Sequence, residues 1–147
     1  MTVRESILEA IVAALNTARP AGIPAAERAR TLGVDIESMP TILVYPGRDT
    51  ATDVGGRAGP IQKRSFEILV ECWAAKSETA TADQATDPLA AWVVCKLGDN
   101  SLGGLVSKLR ESATDFGIDD VDGACCLCSI TMLAEYSHRA DDLERAA

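Results

Sequence analysis

Apolar positions along this chain change period several times, and each change marks an element. Ile7, Leu8, Ile11, Val12 and Leu15 recur at i, i+3 and i+4, the stripe of an amphipathic helix. Thr2-Val-Arg-Glu5 has the form of a capping box. In that motif the Thr hydroxyl accepts from the third helical amide, and Glu5 reaches back to the cap. The helix is expected to end near Asn16, ahead of Pro20 and Gly22. Further on the period falls to two. The apolar, β-branched run Thr41 to Tyr45, set between Pro40 and Pro46, predicts a strand. Along Ser65 to Trp73, alternation puts Phe66, Ile68, Val70 and Cys72 on one face and Glu67, Leu69, Glu71 and Trp73 on the other. Residues 108–118 form a further strand before the Asp-rich run 119–122. A last, strongly apolar strand runs from Cys125 to Tyr136. Its Cys126, Cys128, Ile130, Met132, Ala134 and Tyr136 share one face; Ser129, Thr131 and Glu135 share the other.

A second helix is expected to begin at Asp87-Pro88, a cap residue followed by proline at the first helical position. Leu89, Trp92, Val93 and Leu97 are its apolar stripe, with Cys95 at the margin and Gly98 as the stop. The remaining stretches carry weaker signals. Ala25 to Arg30 has helix propensity with Gly33 as a possible stop, and its alternation is too weak to read as a strand. Ser101 to Leu105 is a tight or helical turn. Residues 47–62 hold Gly55, Gly56, Gly59 and Pro60 and predict a long flexible loop. That loop carries Arg48 and Arg57, with Lys63 and Arg64 just beyond it, against Asp49 and Asp53, so it reads as a basic projection. The expectation is one α+β domain over residues 1–137, a small mixed, mostly antiparallel sheet packed with two main helices. A polar tail, 138–147, frays and leaves His138 exposed.

Composition narrows the classes of function. The 147 residues are 47% hydrophobic, enough for a core, but only 4% aromatic, so aliphatic side chains must fill it. The net charge of −8 disfavours groove binding to nucleic acid. No apolar run reaches the roughly 18 residues of a membrane span, and Glu5 and Glu9 interrupt any signal-like start. The protein is therefore expected to stay in the cytoplasm where it is made. Five cysteines, an odd number in such a chain, are expected to be thiols. Cys125 and Cys128 match C-x-x-C, but in a strand their side chains point to opposite faces and cannot converge on a metal.

No catalytic constellation emerges. G-x-S-x-G, the phosphate-binding Gly-Lys-Ser/Thr motif, H-E-x-x-H and the zinc deaminase spacing are all missing. Gly55 to Gly59 is followed by a strand, whereas a phosphate cradle needs a helix there. The acidic run 119–122 lacks the glycine and glutamate of a calcium loop. No metal, cofactor or catalytic residue is assigned. The residues that suit recognition are Arg48, Asp49, Arg57, Lys63 and Arg64 of the basic projection, and Trp73 on the mixed strand face.

Several phrases also stand in a particular order: Pro40-Thr-Ile-Leu-Val-Tyr-Pro46, Glu71-Cys72, Asp87-Pro-Leu89, Leu102-Gly-Gly-Leu105 and the strand from Gly123 to Tyr136. With the N-terminal helix, this collinear set resembles the tail terminator (minor tail) proteins of long-tailed, lambda-like bacteriophages over nearly the whole chain. The resemblance implies a short first strand near residues 24–32, carrying Arg28 or Arg30. It implies a virion protein, assembled in the bacterial cytoplasm, that forms a homo-oligomeric ring, most simply a hexamer. Such a ring caps the tail tube, ends its polymerisation and joins the tail to the head–neck connector proteins. DNA passes through without specific binding. The alternatives are another phage neck protein (head closure or tail completion) and, from a different class, a small enzyme or thiol-based metal-binding protein.

Overall fold

The structure is a computed structural model, and it describes residues 1–28, 34–52, 61–119 and 124–146. In chain order the elements are helix α1 (Val3–Asn16), strands β1 (Ala26–Arg28), β2 (Thr41–Thr52) and β3 (Ile61–Ala75), helix α2 (Ala82–Leu97), and strands β4 (Lys108–Asp119), β5 (Cys125–Arg139) and β6 (Asp142–Ala146). The strands make one sheet in the order β1-β2-β3-β5-β4, with β6 added beside β5 past the start of β4. Among the described residues β1 and β2 run parallel and every other pairing is antiparallel. The fold is thus the α+β class that the patterning predicts.

The two helices share one face of this sheet. Ile7, Leu8, Ile11 and Leu15 of α1 and Leu89, Val93 and Leu97 of α2 meet Ile42, Val44, Phe66, Ile68, Val70, Cys72, Cys128, Ile130 and Met132 in a single core. Each large aliphatic buried there contributes about 1.5–3 kcal/mol. The face assignments for β3 and β5 hold along their whole length, because β5 alternates half-buried and buried residues from Cys125 to His138. Among the described residues no helix lies on the other face.

The first strand is where tertiary contacts override propensity. The Asn16 side chain brackets Ala26: its amide Nδ2 donates to the Ala26 carbonyl at 3.0 Å, and the Ala26 N–H donates to Oδ1 at 2.7 Å. One side chain therefore imitates a neighbouring strand. Arg28 is held by an ion pair with Glu5 at 2.9 Å, and β1 pairs with β2 through Ala26–Ile42, Glu27–Leu43 and Arg28–Val44. Arg28 lies in a strand as the family resemblance implies; Arg30 is outside the described residues. The same ion pair corrects the capping box. Thr2 does accept from the Glu5 N–H at 3.3 Å, but the Glu5 carboxylate is turned to Arg28 rather than back to the cap.

Three further expectations are corrected. Helix α2 begins at Ala82, not at Asp87, and Pro88 lies inside it on the exposed side. The Thr81 N–H donates to the Gln84 side chain at 3.0 Å, and the buried Thr86 hydroxyl donates to the Ala82 carbonyl at 2.7 Å. The Thr81–Gln84 bond caps the helix start, ahead of a proline that would cost about 3 kcal/mol in a helix interior. At its other end Gly98 has φ −58, and the left-handed residue is Asp99 at φ 57; an added Cβ on Gly98 would meet the Val94 carbonyl at 3.0 Å.

The loop expected over residues 47–62 is strand at both ends. A bulge between Pro46 and Asp49 shifts the register, after which Asp49 to Thr52 pair with Phe66 to Lys63. Gly47 sits in that bulge, where a Cβ would press on the Glu67 carbonyl oxygen at 3.0 Å. The tail expected to fray is also strand: β5 continues to Arg139, and His138 pairs with Ala146 of β6. His138, expected to be exposed, is only 2% exposed.

Candidate assembly surface

The sequence singles out five charged residues around one hairpin, and the structure divides them. Beyond the bulge, β2 and β3 alternate so that Asp49 and Arg64 turn to the helix side while Lys63 turns away. Asp49 is nearly enclosed, its side chain 5% exposed. Its Oδ2 accepts from the Tyr136 hydroxyl at 2.7 Å and lies 3.6 Å from both Arg64 and Arg4. Arg64 uses its Nε to donate to Nε2 of His138 at 2.7 Å, and Nδ1 of His138 faces the Arg139 carbonyl at 2.5 Å. Since Arg64 can only donate, Nε2 is the acceptor and Nδ1 carries the ring proton. Burial, then the bond to Asp49, pushes the Tyr136 phenol well above its ordinary range. Asp49 and Arg64 are therefore bound into a network that joins α1, β2, β3 and β5. It secures the hairpin base to the body.

Arg48 and Lys63 are exposed and make no ion pair among the described residues. Lys63 stands on the helix-free face beside Ile61, which is 52% exposed and lies opposite Arg139. Arg57 lies outside the described residues. At the described base of the hairpin, Lys63 and Arg139 neighbour Ile61, and Arg139 is paired with Asp141 at 3.5 Å; Arg48 stands apart, in the bulge beside Asp49.

Trp73 is on the same helix-free face but at the other end of β3. Ten residues separate it from Lys63, roughly 33 Å of extended strand. Its Nε1 donates to Oε2 of Glu71 at 3.1 Å, and the Tyr45 hydroxyl donates to Oε1 of the same carboxylate. Burial, then Glu71, raises the Tyr45 phenol. With half-buried Leu69, Leu127 and Leu133 and the buried Leu43, interleaved with Ser129 and Thr131, these side chains make a face of mixed character that no helix among the described residues covers. Trp92 instead belongs to the helix layer: its Nε1 donates to the Leu15 carbonyl at 3.1 Å, closing the end of α1, and Lys96 lies 4.9 Å over its ring.

Sequence patterning did not find a second patch, on the helix side between α2 and β4. Phe116 is 52% exposed there and borders an open cleft of ≈ 580 Å³ lined also by Asp83, Gln84, Asp87 and Pro88. The only signal in the sequence was Asp87-Pro88, read as a helix start. The Thr81 hydroxyl, 2.7 Å from Asp83, keeps that carboxyl below the usual range. Beneath the cleft, burial above all, then Cys126, Asp87, Glu111 and Asp115, pushes the Cys128 thiol up to about 11.

None of the five cysteines forms a disulfide. Among the described residues no three His, Cys, Asp or Glu side chains are grouped to hold a metal ion, and no helix is long and apolar enough to cross a membrane. The geometry available is that of surfaces: a hairpin base with an exposed lysine and isoleucine, an acid-rimmed cleft and an open sheet face of mixed character.

No protein-family model matches the chain, and no curated protein matches it. Among solved structures it is similar to a chain described as "Virion of native gene transfer agent (GTA) particle". That likeness has a TM-score of 0.55 and 15% identity over 93% of this chain and 92% of the other, so what the two share is the fold, along essentially their whole lengths.

Proposed function

We propose that this protein is a virion structural protein of the tail terminator kind. It forms a ring, most simply a hexamer, on the end of the tail tube, stops tube polymerisation and provides the joint to the head–neck connector proteins. Its chemistry is recognition rather than catalysis. The observation that carries the reading is the whole-length fold likeness to a chain of a gene transfer agent virion. The ordered phrases from Pro40 to Tyr136 refine it toward tail termination. A ring arises when one patch of a subunit binds a different patch of the next and the rotation closes. The −8 net charge suits a passage through which DNA moves without adhering. The site of action is then the virion, after assembly in the bacterial cytoplasm.

The test is reconstitution. Purified protein mixed with its tail tube protein should form ring-capped tubes of uniform length in negative-stain images. Tubes grown without it should run on. Tubes of unchanged length distribution, with no density on their ends, would reject the tail-end role. Capsids that fail to close although tube length is normal would reassign the protein to head closure.

A further inference from the structure

We infer that the contact between ring subunits is made by the hairpin base of one copy, Ile61 with Lys63, entering the acid-rimmed Phe116 cleft of the next. The inference rests on the ring reading above and names its interface. Three observations carry it.

The two patches are complementary in kind. One presents an exposed isoleucine beside Lys63, which has no ion-pair partner among the described residues; the other presents an exposed phenylalanine and Pro88 in a cleft lined also by Asp83 and Asp87. Glu135, which shares a shallow cleft with Lys63, is not within ion-pair distance of it. Isolated surface charges of this kind contribute little by themselves, but facing arrays of opposite sign fix register and orientation.

The patches also lie at opposite ends of the sheet. Phe116 pairs with Cys128, which pairs with Cys72, and Cys72 is eleven residues along β3 from Ile61. That is roughly 36 Å of strand. Each patch also belongs to a different face. Two copies joined patch to patch are therefore related head to tail, the geometry that closes into rings or runs on as a filament.

Finally, the edge of β4 offers a poor alternative contact. It carries Lys108, Arg110, Glu111 and Asp115, and a bulge between Glu111 and Ala113 breaks its register. Charges and bulges are the usual protection against edge-to-edge pairing. The cleft beside that edge is left as the docking surface.

The experiment is a charge-swap pair on the full chain. Asp83→Lys/Asp87→Lys reverses the cleft, and Lys63→Glu reverses the hairpin base. Circular dichroism melts first establish that each variant folds. Sedimentation velocity and native mass spectrometry then follow self-association, alone and with tube protein. Each variant alone should associate about ten-fold or more weakly than wild type, since like charges then meet across the contact. Mixed one to one, the two should regain assembly, with subunits alternating around an even-numbered ring. Phe116→Ser supplies an independent check: the side chain is already half exposed in the subunit, so the fold should persist while assembly weakens. Variants that assemble as wild type does would overturn the proposed interface and leave the ring reading standing. Loss in both variants with no recovery on mixing would also overturn it. Open filaments with the same swap behaviour would support the contact and reject the closed ring. A wild-type protein that stays monomeric under every condition would reject both.

Discussion

The Tyr136 hydroxyl donates to Asp49 at 2.7 Å across 87 positions of sequence. That bond decides what Asp49 is for. Together with Arg64 and His138 it converts the base of a charged hairpin into part of the body, and it separates the charges that secure the hairpin from those free to meet another molecule.

Replacing Tyr136 by Phe removes the shortest bond to a nearly enclosed carboxylate. Leaving a buried charge short of a donor costs about 1–3 kcal/mol. Urea denaturation should show a lower midpoint with an unchanged slope. A midpoint equal to wild type would mean that Asp49 does not depend on this hydroxyl.

Neighbouring cations on β3 should behave differently. Arg64→Glu sets a carboxylate against Asp49 and removes the donor to His138, so it should destabilise by about 2–4 kcal/mol. Lys63→Glu should stay within about 0.5 kcal/mol of wild type. Equal thermal shifts in the two variants would contradict the division of the hairpin charges.

Asn16→Ala should loosen β1 selectively. The loss of two hydrogen bonds to Ala26 should cost about 1–2 kcal/mol, and in hydrogen exchange the Ala26 amide should lose its protection before those of β3. Unchanged protection at Ala26 would remove the bracketing role from Asn16.

The two phenols, half-buried Tyr45 and buried Tyr136, give a pH dependence of defined sign. Tyr45 and Tyr136 are raised in the folded state, first by burial and then by Glu71 and Asp49. Unfolded tyrosines ionise near 10. The stability from these two groups is therefore fully present below about pH 10 and falls as pH rises above it. Absorbance at about 295 nm should show tyrosinate only together with alkaline unfolding; a native, reversible titration near the ordinary phenol value would refute the enclosure.

Thiol accessibility gives a separate test. Cys95 is exposed, whereas Cys72, Cys126 and Cys128 are buried and burial raises Cys72 and Cys128. Near pH 8 an aromatic disulfide reagent should modify Cys95 first and reach those three only on unfolding. Melts with and without chelator should coincide. A large loss of stability with chelator would point to a structural metal.

Local periodicity determined much of this protein. The stripe from Ile7 to Leu15 and the alternation along Phe66 to Cys72 and Cys126 to Tyr136 specify which side chains face the core, because a helix or strand imposes its period on any sequence that buries one side. Periodicity does not specify where pairing stops or what a polar group meets. The extension of β2 and β3 past the Pro46–Asp49 bulge, the ordering of β6 and the burial of His138 depend on strands brought together from distant parts of the chain. Ala26 is in a strand because Asn16 and β2 hold it there, against the helix propensity of its neighbours. The candidate surface divides in the same way. The basic character of the hairpin was legible from Arg48, Lys63 and Arg64. That Arg64 turns inward, Lys63 outward and Phe116 into an acid-rimmed cleft was decided by cross-strand register, which is set by contacts between segments and leaves no local mark on either.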